Sequence, residues 1–188
     1  PKAEKEAPAP PPISVGHPNQ GSLDGGVRLD TKLSYVRVVP AYARGDVRWG
    51  LPSLVRMLER SAKTVDKRFP GSALNVGDLS RREGGDVLRH HSHESGRDVD
   101  LGFYIVDAKG KPVAARGFVR VDDNLNAVGH PGAKLDLARN WLLVQTMLAD
   151  PKAHVSHIFV SGVVRTRLLA YAKSQRVPQR LRDRAALA

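Results

Sequence analysis

The stretch Arg89-His90-His91-Ser92-His93-Glu94-Ser95-Gly96-Arg97-Asp98-Val99-Asp100 runs straight into Leu101-Gly102-Phe103-Tyr104-Ile105-Val106. A polar turn dense in imidazole and carboxylate thus feeds an apolar run that reads as a strand. Imidazole and carboxylate are ligands that Zn²⁺ accepts, and a catalytic zinc needs three protein ligands plus an open position for water. His93 and Asp100 are the first candidates. They lie seven residues apart, one at the mouth of the loop and one at the start of the strand, and Gly96 between them can turn the imidazole back over the carboxylate. Read without chemistry, the same residues make a solvated surface loop.

Asp98 precedes Asp100 by two positions, so on an extended chain both carboxylates point to one face. One could then bind a metal while the other orients a ligand histidine or the attacking water. Arg97 beside Asp98 could instead simply neutralise it. His91 reads as a surface residue.

Taken whole, Ser92 to Asp100 closely resembles the SHxxGxDVD signature of the penicillin-insensitive murein endopeptidases. These form a branch of the zinc peptidases that also includes lysostaphin-type enzymes, D-Ala-D-Ala peptidases and the hedgehog signalling domain. Shorter segments resemble the same family in the same order. They are the SxGxxxxGxL run from Ser14 to Leu23, Trp49-Gly50, the GD motif in Val76-Gly77-Asp78-Leu79-Ser80, and Asp136-Leu137-Ala138-Arg139-Asn140-Trp141.

The resemblance implies that His93 and Asp100 are zinc ligands, that Asp98 supports them, and that His90 supports the site or touches substrate, with a plain surface position the competing reading for His90. It also implies Zn²⁺ as cofactor, peptidoglycan as partner, cleavage of D-alanine-containing cross-links, and a place in the periplasm or outside the cell. The implied fold is α+β, a small mostly antiparallel sheet carrying the metal site and flanked by helices. In the family a C-terminal His-x-His strand supplies the third ligand and a catalytic histidine. No histidine follows His157 in this sequence, so neither role can be carried over, and the endopeptidase reading expects that strand in the full gene product. The alternative is a non-catalytic relative that binds cell-wall peptides or a partner protein through a degenerate cleft, because two ligands rarely hold zinc tightly.

The bulk properties narrow the classes. A chain of 188 residues can bury a core without staples, and with no cysteine the strong ligands left are His, Asp and Glu. Thirty Lys and Arg against nineteen Asp and Glu give a net charge of +11, which favours anionic partners, the cell wall among them. Nucleic acid is disfavoured: no zinc finger or RNA-binding aromatic signature occurs, and four Phe, four Tyr and two Trp offer little for base stacking. No apolar run is long enough for a membrane helix. The oligomeric state is not readable.

Along the chain, residues 1–12 are charged and proline-rich and read as an extended linker before a domain over 13–188. The pattern predicts one or two strands within 27–42, a helix over 51–69 with Pro52 in its first turn, and a short strand at 73–76. It further predicts a continuous strand over 101–106, a turn at 107–112 with 118–121 pairing back, and a turn rather than a calcium loop at 122–126. Helices are expected over 135–148, 163–172 and from 179, with a strand over 155–160. His154 and His157 would then face opposite ways and make a poor metal pair, while His17 and His130 fall in loops as weak candidates.

Overall fold

The structure of the protein, a computed structural model, describes residues 11–87 and 91–188. The expected linker therefore lies almost wholly outside the described residues, and so does His90.

Helix α1 (Pro52–Arg68) forms where the apolar residues recur at helical spacing, and Val55, Leu58, Ala62 and Val65 are fully buried along one stripe. Pro52 sits where a missing N–H costs nothing, and Lys67 and Arg68 in the last turn complement the helix dipole. Full burial of Val55, Leu58 and Val65 contributes about 1.5–3 kcal/mol each. The helix is also a connection. Strand β4 (Val36–Val38) runs parallel to β6 (Leu74–Val76), and a parallel pair needs a crossover, which α1 supplies.

Strand β7 (Leu101–Gly102) pairs antiparallel with β6 and completes this three-stranded sheet. Among the described residues the other strand pairings are all antiparallel. Strands β1 (Ile13–His17) and β2 (Gln20–Asp24) form a hairpin, β3 (Val27–Arg28) pairs with β5 (Trp49–Gly50), and β8 (Ile105–Val106) pairs with β9 (Lys134–Leu135). A 3-10 turn covers Pro40–Tyr42. Three more helices follow: α2 (Leu137–Ala149), α3 (Gly162–Ser174) and α4 (Gln179–Leu187). The arrangement is α+β, as expected.

Two apolar clusters hold these elements together, and α2 joins them. Leu143 and Met147 face the cluster of α1 and the three-stranded sheet, while Trp141 faces the one built from Ile105, Leu135, Val164 and Leu168. Asp136 caps α2 by accepting the Arg139 N–H at 2.8 Å, and Ser161 caps α3 by accepting that of Val164. The 122–126 segment is a turn built on Asp122, whose carboxylate accepts the backbone N–H groups of Asn124 and Asn126.

Three expectations need correction. The run 101–106 is not one strand: it breaks at Phe103 and Tyr104, because Asn140 on α2 takes over the role of a neighbouring strand. Its amide oxygen accepts the Tyr104 N–H at 3.1 Å and its amide nitrogen donates to the Tyr104 carbonyl at 2.8 Å. Residues 118–121 form no strand of their own, since β8 pairs with β9 and Phe118 lies against Gly77 and Gly102 instead. The segment 155–160 is irregular, with no strand partner among the described residues. The Ile158 N–H goes to the Ala188 carbonyl, and Phe159 is 90% exposed.

Candidate active site

Asp100 stands at the entrance of β7, fixed by the backbone on both sides. Its N–H donates to the Asp78 carbonyl at 3.0 Å, and its own carbonyl accepts the Gly77 N–H at 2.8 Å. Asp78 is in turn fully buried, with its carboxylate 3.2 Å from the guanidinium of Arg48, itself only 2% exposed. Arg48 also donates to the carbonyls of Val47 and Tyr42. Burial lowers the Arg48 pKa and the Asp78 carboxylate offsets part of that. Arg48 went unrecognised in the sequence, where an arginine between β3 and β5 looks like one more surface charge.

The histidine loop folds back over this point. Gly96 takes a φ of +68°, as a turn there requires, and His93 itself takes +71°. That conformation costs a non-glycine residue on the order of 1 kcal/mol or more, and it persists because the surroundings hold it. The His93 N–H donates to Asp98 Oδ2 at 3.2 Å, and its ring Nδ1 lies 2.9 Å from the same oxygen. On the other side of the ring, Nε2 lies 3.3 Å from Asp100 Oδ2. His93 is 2% exposed, so the reading as a solvated loop fails. Asp98 and Asp100 thus flank opposite nitrogens of one imidazole.

Arg97 does not neutralise Asp98. It reaches across to the β1–β2 hairpin and donates to the carbonyls of Ser14, at 2.6 Å, and Gly16, at 3.2 Å. Ser14 Oγ donates to the Ser95 carbonyl at 2.6 Å, the Glu94 N–H donates to the Pro18 carbonyl, and the Gly96 carbonyl accepts the Leu51 N–H. The loop is therefore clamped by a hairpin about eighty residues earlier. The SxGxxxxGxL segment and the SHxxGxDVD segment are two halves of one assembly.

Asp98 and Asp100 open onto a cleft of about 730 Å³, walled by Pro18, Phe103 and Phe118 and, across it, by the irregular segment carrying His154 and His157. Against expectation, both histidines line the same cleft, because the segment that carries them is not a regular strand. His157 Nδ1 lies 3.0 Å from Ser156 Oγ. His17, expected in a loop, is instead the last residue of strand β1, paired with Gln20 and exposed there, and His91 is exposed.

The sequence model of the penicillin-insensitive murein endopeptidase family matches residues 14–182. The chain belongs to this family. Membership makes it a murein endopeptidase by class, a hydrolase whose substrate is peptidoglycan. No curated protein matches the chain. Among the described residues no helix is long and apolar enough to cross a membrane.

In this murein endopeptidase the His93/Asp100 pair has the spacing a tetrahedral zinc would need. With metal–ligand bonds of about 2.0–2.1 Å, two such ligand atoms sit roughly 3.3 Å apart. Asp98 adds the partner that a metal-binding histidine ordinarily has on its other nitrogen. Its second oxygen is buried and has no hydrogen-bond partner among the described residues, so the pocket keeps spare polar capacity. Among the described residues no group of three or more His, Cys, Asp or Glu side chains comes together as a metal site. Burial works against protonating His93, yet Asp100 and then Asp98 more than offset it, and its pKa rises to about 9.

Proposed function

We propose that the protein is a zinc-dependent endopeptidase of the cell envelope that hydrolyses D-alanine-containing cross-links in peptidoglycan, working in the periplasm or outside the cell. The observation that carries this reading is the 3.3 Å approach of His93 Nε2 to Asp100 Oδ2, beside a cleft that Asp98 and Asp100 line, in a member of this endopeptidase family.

In this reading His93 Nε2 and Asp100 Oδ2 are two of the metal's ligands. Zinc bound there would polarise the scissile carbonyl and activate water at neutral pH. Asp98 holds the His93 ring through Nδ1, so that Nε2 presents its lone pair to the site. The Arg48–Asp78 pair holds the turn on which Asp100 is mounted, and the hairpin clamp holds the His93 loop. The cleft walls bind the peptide and exclude bulk water, and the positive charge of the protein as a whole favours approach to the anionic wall.

The test combines zinc titration with hydrolysis of purified cross-linked muropeptides. Wild-type protein should bind zinc and release uncross-linked products, whereas His93→Ala and Asp100→Ala should lose both. Undiminished hydrolysis by a folded His93→Ala variant sinks the reading. Wall binding without zinc uptake or hydrolysis in the wild type would make the chain a non-catalytic binder instead.

A further inference from the structure

The face of the sheet that carries Asp100 is almost bare. Strand alternation puts Asn75, Gly77, Asp100 and Gly102 on one side of β6 and β7, with Leu74, Val76 and Leu101 turned toward the core. Two of the four positions have no side chain, and Phe118 fills the space. A methyl group on Gly77 would come within 2.6 Å of Phe118 Cζ, and one on Gly102 within 2.9 Å of Phe118 Cδ1. The ring therefore lies across the strands from one glycine to the other. The same methyl on Gly77 would come 3.2 Å from Asp100 Cβ, so Phe118 and Asp100 flank one spot above the sheet.

Several contacts hold this ring in place. Tyr42 packs on it with ring centroids 4.7 Å apart. The strap that delivers it is tied down twice, by Arg37 donating to the Ala115 carbonyl at 2.6 Å and by the Ala41 N–H donating to the Arg116 carbonyl at 2.8 Å. Arg37 is itself held by Asn75 on the same sheet face. Phe118 lines the cleft beside Asp98, Asp100 and Phe103. A packed apolar wall next to a polar centre offers no hydrogen bond and yields little to bulk, so it favours a small apolar group against it.

We propose that Phe118 is a specificity-determining residue, the wall against which the small aliphatic side chain flanking the scissile bond is seated, so that a methyl group is accepted and a branched side chain refused. This rests on the endopeptidase reading above and names the substrate feature that its cleft selects. A pocket that senses one or more methylene groups discriminates by roughly ten- to two-hundredfold.

The experiment uses the full chain loaded with zinc and two synthetic cross-link peptides that differ only in D-alanine or D-leucine at the scissile bond. KM and kcat are measured for wild type, Phe118→Leu and Phe118→Ala, with zinc uptake and thermal unfolding recorded for each. Wild type should prefer the D-alanine peptide by at least tenfold. Phe118→Ala should raise KM for that peptide with kcat little changed and raise kcat/KM for the D-leucine peptide, so that the preference collapses, with Phe118→Leu in between. A preference that survives intact in either folded, zinc-binding variant overturns the assignment of Phe118 and leaves the endopeptidase reading standing. A wild type that cleaves neither peptide overturns both.

Discussion

Arg48 and Asp78 form a buried ion pair directly behind the turn that carries Asp100, with side-chain exposures of 3% and 0%. Breaking such a pair leaves an uncompensated charge in the interior, a loss of roughly 3–5 kcal/mol. Asp78→Ala should therefore destabilise the protein by about that much in chemical denaturation. Removing both charges together, as Arg48→Met with Asp78→Leu, should cost much less than Asp78→Ala alone. An equal or larger loss in the double variant would show that the pair acts through its backbone partners rather than through charge.

Asp98 touches His93 by side chain and by backbone, so its role is separable from that of Asp100. Asp98→Asn should keep the fold and weaken zinc binding roughly ten- to a hundredfold, the usual effect of losing a histidine's carboxylate partner. Competition with a chromophoric chelator measures it. An unchanged affinity would demote Asp98 to a structural cap of the loop.

His93 also links the metal-free protein to pH. Its folded pKa is about 9 against an ordinary value of 6.5, so the fold prefers the protonated ring. The stability this contributes is complete below about pH 6.5 and disappears as the pH rises through about 9. In the presence of a chelator, the urea midpoint of wild type relative to His93→Ala should fall between pH 6 and pH 9.5. Zinc has the opposite dependence, since it must displace the proton: apparent affinity should rise by about tenfold per pH unit until the ring deprotonates unaided. Isothermal titration in buffers of different ionisation enthalpy counts the released proton.

Gly96 is where the histidine loop turns, with φ at +68° and Leu23 Cδ2 only 2.7 Å from where a methyl group would sit. Leu23 is buried in the hairpin side of the assembly. Gly96→Ala should cost about 1–2 kcal/mol for the backbone alone, and more for the displaced leucine. A thermal midpoint lowered by at least a few degrees, together with weaker zinc uptake, is the expected result. Gly110→Ala, with a similar φ of +75° but open space around it, is the control that isolates the backbone share.

What could be read beforehand follows from how local each signal is. Helices α1 and α2 depend on residues within a turn or two of one another, and they stand close to where the pattern puts them, α2 starting two residues late because Asp136 caps it. The return of His93 onto Asp100 was legible because one glycine and a seven-residue spacing limit where the loop can go. The break at Tyr104 was not, because it depends on a single amide thirty-six residues later that imitates a strand. Nor was the role of Arg97, whose partners are the carbonyls of β1. Phe118 looked like part of a strand because an aromatic among valines is β-rich by composition, whereas its place was set by two distant glycines.

The contact of Arg97 with β1 reaches beyond the site. In the hairpin register, Ser14 and Gly16 sit opposite Leu23 and Gly21, and their carbonyls turn outward, along the free edge of the strand. An exposed edge with Ile13 and Val15 half in solvent is a template on which another chain could add a strand and begin to aggregate. The guanidinium of Arg97 occupies those two carbonyls. Docking the histidine loop and blunting the hairpin's edge are thus one event, and a molecule whose loop has come loose is a molecule that has become sticky.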